Sequence, residues 1–303
     1  MKSNVKMQIE QLKKEKNAVI LAHYYVDGEV QEIADYVGDS YYLAQIATTI
    51  PEDVIIFCGV SFMGESAKIL NPKKKVVMVD EHADCPMAHM VDLERIKQVR
   101  TEYTDVAVVC YVNSTAEIKG ESDVCVTSSN ALKIVKRLPN ENVYFIPDNN
   151  LGRYIAKMLP EKNFIFNDGY CHVHKGILRE NLEKEKNKFP NAVVLAHPEC
   201  TEDVLELADY IGSTSQIIDY ATSSEKEEFL VCTEIGVFYE LKLKNPNKKF
   251  YPIMEEQICP NMKRVTLEGV LGALNTLQPE MKLPEGLEVK AGSPLQKMLE
   301  LAK

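Results

Sequence analysis

Short apolar runs alternate with stretches of helix length along nearly the whole chain, and the alternation is copied three times. Asn17-Ala18-Val19-Ile20-Leu21-Ala22-His23 has a near copy in Asn191-Ala192-Val193-Val194-Leu195-Ala196-His197. Each then passes through an acidic stretch into Ala34-Asp35-Tyr36-Val37-Gly38 or Ala208-Asp209-Tyr210-Ile211-Gly212. A weaker middle copy covers 106–111 and 126–130, with Tyr111 at the histidine position and Ser128 where the others carry Ser40 and Thr214. The second half of each copy begins with an apolar run of strand length, at 54–58, 143–146 and 228–231. A helical stretch follows and ends near Pro72, Pro160 or Pro246, and a further short strand comes after it.

Short buried strands separated by helical segments predict an α/β fold of parallel sheets with right-handed crossovers. The repeats are read as 1–86, 87–172 and 173–259. Residues 260–303 are expected to pack back on the first. An amphipathic helix with Val5, Ile9 and Leu12 on one face precedes the first strand.

The 303 residues suit two or three domains. No apolar run approaches the ~18 residues of a membrane span. The start, Met1-Lys2-Ser3-Asn4, has no apolar secretory stretch, so a cytoplasmic location is expected. A formal net charge of −10 argues against nucleic acid or anionic lipid as partner.

Eight cysteines in such a chain point to a reducing compartment and not to disulfides. Cys58, Cys110, Cys125 and Cys232 lie in apolar runs and read as buried small hydrophobes. Cys200, after His197-Pro198-Glu199, is not settled by its surroundings. Cys85, Cys171 and Cys259 instead occupy polar loops at matching places in the three copies. Three thiolates aimed at one axis make a metal site with a free coordination position. Structural zinc prefers four ligands in close pairs such as C-x-x-C, and no such pair is present. His172 or His174 could still complete a Cys3His zinc site. Soft thiolates equally suit an iron–sulfur cubane with one open iron, a Lewis acid toward oxygen. His23, Tyr111 and His197 end the first strand of each copy. Ser40, Ser128 and Ser213-Thr214 sit where helices should open, which favours anion binding.

The whole set of motifs resembles the quinolinate synthase (NadA) family. It comprises His23-Tyr24-Tyr25, Gly38-Asp39-Ser40, Cys85-Pro86-Met87-Ala88, Tyr111-Val112-Asn113-Ser114, Thr127-Ser128-Ser129-Asn130, Gly169-Tyr170-Cys171-His172-Val173-His174, His197-Pro198-Glu199-Cys200 and Gly212-Ser213-Thr214. The resemblance implies three αβα domains around a pseudo-threefold axis, with a 4Fe-4S cluster in a central cavity. It implies condensation of iminosuccinate with dihydroxyacetone phosphate to quinolinate, for NAD biosynthesis. Cys85, Cys171 and Cys259 would hold the cluster. His23, Ser40, Tyr111, Asn113, Ser128, His197, Ser213 and Thr214 would bind substrate. Glu199 would be an acid/base, Tyr25 a proton-moving gate in preference to Tyr24, and His174 a further active-site group. An iminosuccinate-producing L-aspartate oxidase or dehydrogenase would be a functional partner. The C-x-x-C-x-x-C stretch of some relatives is absent, since Pro260-Asn261-Met262-Lys263 follows Cys259. An iron–sulfur hydro-lyase, an iron–sulfur sensor and a zinc-stabilised binding protein are the competing readings of three loop thiols.

Overall fold

The computed structural model describes residues 2–303. The chain forms three four-stranded sheets, all parallel within each sheet. The first contains β1 (Ala18–His23), β2 (Tyr36–Gly38), β3 (Val54–Cys58) and β4 (Lys75–Met78). The second contains β5 (Val106–Tyr111), β6 (Val124–Val126), β7 (Asn142–Ile146) and β8 (Asn163–Phe166). The third contains β9 (Val193–Ala196), β10 (Tyr210–Ile211), β11 (Glu228–Cys232) and β12 (Lys249–Pro252). In every sheet the strand order is second, first, third, fourth.

The central strands explain the parallel arrangement. β1, β3 and β5 are apolar at almost every position and buried throughout, so both faces need helical cover. Crossover helices supply that cover while returning the chain to the same end of the sheet. The expected α/β class is therefore observed. β9 stops at Ala196, leaving His197 just beyond the strand.

The copying extends to individual bonds. Asp35, Asp123 and Asp209 precede the second strand of their sheets by the same step. Their carboxylates accept the N–H of Ile20 at 2.8 Å, Val108 at 2.7 Å and Val194 at 2.8 Å. The helices Ser61–Leu70, Asn149–Met158 and Val237–Lys244 stop two residues before Pro72, Pro160 and Pro246. A proline pushes the residue ahead of it out of the helical region. Asn71, Leu159 and Asn245 accordingly adopt one shared conformation, with φ/ψ of −135/65, −129/62 and −133/66°.

The C-terminal segment ties neighbouring parts together. Helix Leu267–Thr276 packs on helix Lys2–Glu15. Helix Leu287–Leu301 packs against Ser61–Leu70 of the first unit and against Ala116–Gly120 and β6 of the second. Ala291, Leu295 and Met298 on its inner face are buried. Lys133 donates to the carbonyls of Ala302 and Lys303, each at 2.7 Å, and Arg137 to that of Leu301. These cations complement the negative end of the helix dipole. One continuous apolar core consequently spans the first two sheets and the tail, whereas the third sheet carries its own clusters.

Candidate active site

The C-terminal ends of the strands face a cavity of about 770 Å³ of empty space, its open mouth included. His23 ends β1, Tyr111 ends β5, and His197 follows β9. Ser40 and Thr214 are the first residues of helices Ser40–Ala47 and Thr214–Ser223, and Ser128 lies in the turn after β6. All six line the cavity, together with Tyr25, Asn113, His174, Glu199, Cys85, Cys171 and Cys259. Ser213 does not. It is fully buried one residue before the helix and forms a capping box with Gln216. Tyr24 also turns away, into the apolar core of the third sheet, while the neighbouring Tyr25 faces the cavity.

Each of the three lining cysteines keeps some exposed surface, whereas the other five are buried. Cys85, Cys171 and Cys259 each stand immediately or shortly before a helical turn, at Pro86–His89, His172–Gly176 and Met262–Arg264. Burial raises all three thiol pKa values, that of Cys85 to about 12. The thiols also sense one another, Cys259 acting on Cys85 and Cys85 on Cys171. Backbone N–H groups pull the other way: Ala88 and Met87 favour the Cys85 thiolate, His174 that of Cys171, and Met262 and Asn261 that of Cys259. Three soft donors from three loops, each cradled by amides, and with Lys263 also favouring the Cys259 thiolate, fit a positively charged metal centre.

Facing the thiols is a hydrogen-bonded chain of side chains. His174 Nδ1 lies 2.7 Å from Glu199 Oε2 and 3.2 Å from Cys171 Sγ. His174 Nε2 lies 2.8 Å from Thr233 Oγ1. Thr233 Oγ1 is 2.8 Å from the Tyr25 hydroxyl, which is 2.9 Å from Thr214 Oγ1. Either hydroxyl of the Tyr25–Thr233 and Tyr25–Thr214 pairs can donate, and the His174 tautomer is assigned by the network it joins. His197 stacks on His174 with ring centroids 4.6 Å apart, places Nδ1 3.3 Å from Glu199 Oε2, and meets Ser128 Oγ at 3.2 Å through Nε2.

The electrostatics follow from this crowding. Burial alone would raise the Glu199 pKa, but His174 and then His197 more than reverse it and hold the carboxyl below the usual range. Burial lowers His23 to about 3, aided by His197. Tyr25 and Tyr111 are pushed well up, first by burial and then by the Glu199 charge. Among the described residues, no lysine or arginine lines the cavity.

Among the described residues that line the cavity, two have a buried atom with no partner, Glu199 Oε1 and Asn113 Oδ1. An unpaired buried acceptor costs about 1–3 kcal/mol, so both leave an accepting capacity unused at residues that line the cavity. Cys171, His174 and Glu199 also offer donor atoms within 4.8 Å of one another, enough for a single metal ion.

Two contributors escaped the sequence reading. Thr233 joins Tyr25 to His174, and Asn150 Nδ2 donates to the Glu199 carbonyl at 3.1 Å. Thr233 follows a strand with no motif around it, although its place after β11 in the third copy was a signal. Gly236 sets the spacing behind Tyr25: a Cβ there would sit 2.7 Å from the Tyr24 carbonyl and the Tyr25 backbone, so only glycine lets the first and third units approach so closely.

Comparison with known proteins gives a consistent picture. The NadA family model, quinolinate synthetase A protein, matches residues 7–300. The quinolinate synthase of Fusobacterium nucleatum is 55% identical over 298 residues, covering 98% of this chain and 99% of that one. That of Clostridioides difficile is 49% identical over 303 residues, covering 100% of both. Quinolinate synthase 2 of Methanosarcina acetivorans is 46% identical over 295 residues, covering 97% of this chain and 95% of its own.

Proposed function

This chain belongs to the quinolinate synthetase A family, and from that premise we propose that it condenses iminosuccinate with dihydroxyacetone phosphate to quinolinate, releasing phosphate and water. Residues 1–86, 87–172 and 173–259 act in this reading as three αβα domains around a pseudo-threefold axis. Cys85, Cys171 and Cys259 hold a 4Fe-4S cluster. The observation that carries the reading is the opening of those three cysteines, one from each repeat, onto the cavity that Glu199, His174 and Tyr25 also line, with Thr233 joining the last two from behind.

When bound, the cluster supplies a Lewis-acidic iron able to polarise oxygen and nitrogen donors of a substrate. The chain's own residues do the rest. Ser40 and Thr214 present hydroxyls and N–H groups at helix starts, which suits carboxylate or phosphate in a cavity that no described lysine or arginine lines. Asn113 Oδ1 and Glu199 Oε1 accept donors of the bound molecule. Glu199, kept ionised by His174 and His197, takes a proton as base and returns it as acid. The row through His174 and Thr233 passes protons between Glu199 and the Tyr25 hydroxyl without any heavy atom moving far. Walls from three units surround the site on the sides away from its mouth, which limits the water that can reach an imine.

The test is quinolinate formation from the two substrates by anaerobically purified protein, with iron and acid-labile sulfide measured on the same sample. Full iron without quinolinate would sink the reaction. The Cys171–His174–Glu199 group supports a second reading, a single zinc ion. A colourless sample containing zinc and no sulfide would favour it.

A further inference from the structure

Two buried carboxylates lie outside the row just described, and each is bonded to the main chain of a thiol-bearing residue. Asp148 is fully buried. Its Oδ1 accepts the Leu151 N–H at 2.7 Å, capping helix Asn149–Met158, and its Oδ2 accepts the Cys171 N–H at 3.1 Å. Glu234 is 1% exposed. Its Oε1 accepts the Cys259 N–H at 3.1 Å and its Oε2 the Gly236 N–H at 2.6 Å. Both residues stand second after the third strand of their sheets, behind β7 and β11. In the first unit Val60 holds that place, and the next residue does the fastening: Ser61 N–H and Oγ–H both donate to the Ala83 carbonyl, at 2.8 and 2.9 Å. Each cysteine loop is thus pinned to the start of the helix behind its own third strand.

Placing acid groups in such positions is expensive for folding alone, because a buried carboxylate costs several kcal/mol to desolvate. A neutral serine does the mechanical task in the first unit. The Glu234 clamp reaches further, since Lys263 Nζ lies 3.2 Å from Glu234 Oε1 and donates to the Tyr25 carbonyl at 2.7 Å. The Cys259 loop and the Tyr25 turn, from different units, therefore share one anchor.

We propose that Asp148 and Glu234 are positioning residues that fix Cys171 and Cys259 in ligating geometry, so that the thiols are arranged before the metal centre is loaded. This inference rests on the three-cysteine metal reading and goes beyond it. Asp148→Asn and Glu234→Gln keep side-chain size and exchange one acceptor oxygen for a donor that faces an N–H. After anaerobic reconstitution with iron and sulfide, both variants should release iron to a chelator at least tenfold faster than wild type. Asp209→Asn is the control: its carboxylate also holds a backbone N–H, that of Val194 at 2.8 Å, but on no cysteine loop. It should lose thermal stability and keep wild-type iron release.

Wild-type release rates and iron content in both Asp148→Asn and Glu234→Gln would overturn the inference. If Asp148→Asn cannot fold, because Asp148 also caps a helix, Glu234→Gln decides. Amide exchange in metal-free wild type needs no variant: the Cys171 and Cys259 amides should be protected, and fast exchange at both would count against preorganisation. A wild type that takes up no iron and sulfide defeats the metal reading itself, an outcome separable from the others.

Discussion

The hydroxyls of Tyr25 and Thr233 meet at 2.8 Å although Tyr25 follows β1 of the first sheet and Thr233 follows β11 of the third. The hydrogen-bonded row at the cavity thus crosses a boundary between repeats. Thr233 also holds His174 Nε2, so one hydroxyl serves two walls.

Thr233→Val removes that hydroxyl with little change in shape. It is expected to leave iron content intact and lower kcat by about 10²-fold, the range of a lost proton-transfer partner. Tyr25→Phe should do the same while keeping its edge contact with His23 at 4.5 Å. The double variant should be scarcely worse than either single one, because the two act as a unit. Additive losses in kcat would break the relay.

Alanine at Cys85, Cys171 or Cys259 should strip the protein of cluster iron and lower activity by more than about 10²-fold, since Lewis-acid assistance is worth several kcal/mol. Cys232→Ala removes a fully buried thiol at the end of β11 and should cost stability alone. Iron and sulfide analysis of the four variants separates the two groups.

Acid should destabilise the fold partly through His23. Its pKa is about 3 in the folded chain against 6.5 for the free side chain. Between those values the unfolded state binds the extra proton, so stability falls as pH drops from 6.5 toward 3, by about 1.4 kcal/mol per pH unit for this group. Glu199, with its depressed pKa, adds stability above its unfolded value that is lost as pH falls through the folded one. Calorimetry of His23→Gln should show a shallower fall of Tm with acid than wild type. Parallel Tm profiles would acquit His23.

Leu295→Ala opens a cavity where the tail helix meets the first two units. Leu295 is fully buried, so a cost of about 2–5 kcal/mol is expected. Chemical denaturation gives the value, and iron binding at low denaturant should be unchanged.

Much of the architecture could be read from residues alone, because tripling makes weak signals reinforce one another. The Ala-Asp-Tyr motifs at Asp35 and Asp209 mark carboxylates that bond the first strand, and Asp123 does likewise in the weaker copy. The prolines at 72, 160 and 246 mark helix ends with one common geometry. What stayed hidden depends on contacts between units. Thr233, Asp148 and Glu234 have partners remote in sequence, and no local pattern announces them. Ser213 illustrates the opposite difficulty. A serine at a helix start suits anion binding, but Gln216 three residues later also spells a capping box, and the hydroxyl is engaged there.

The tail helix has a mechanical consequence. By welding the first two units into one apolar body it leaves the third joined through thinner seams: Tyr24 seated in its core, Gln31 donating to the Gly236 carbonyl, and the Lys263 anchor. The third unit thus keeps apolar clusters of its own, and its attachment to the welded pair is polar as much as apolar.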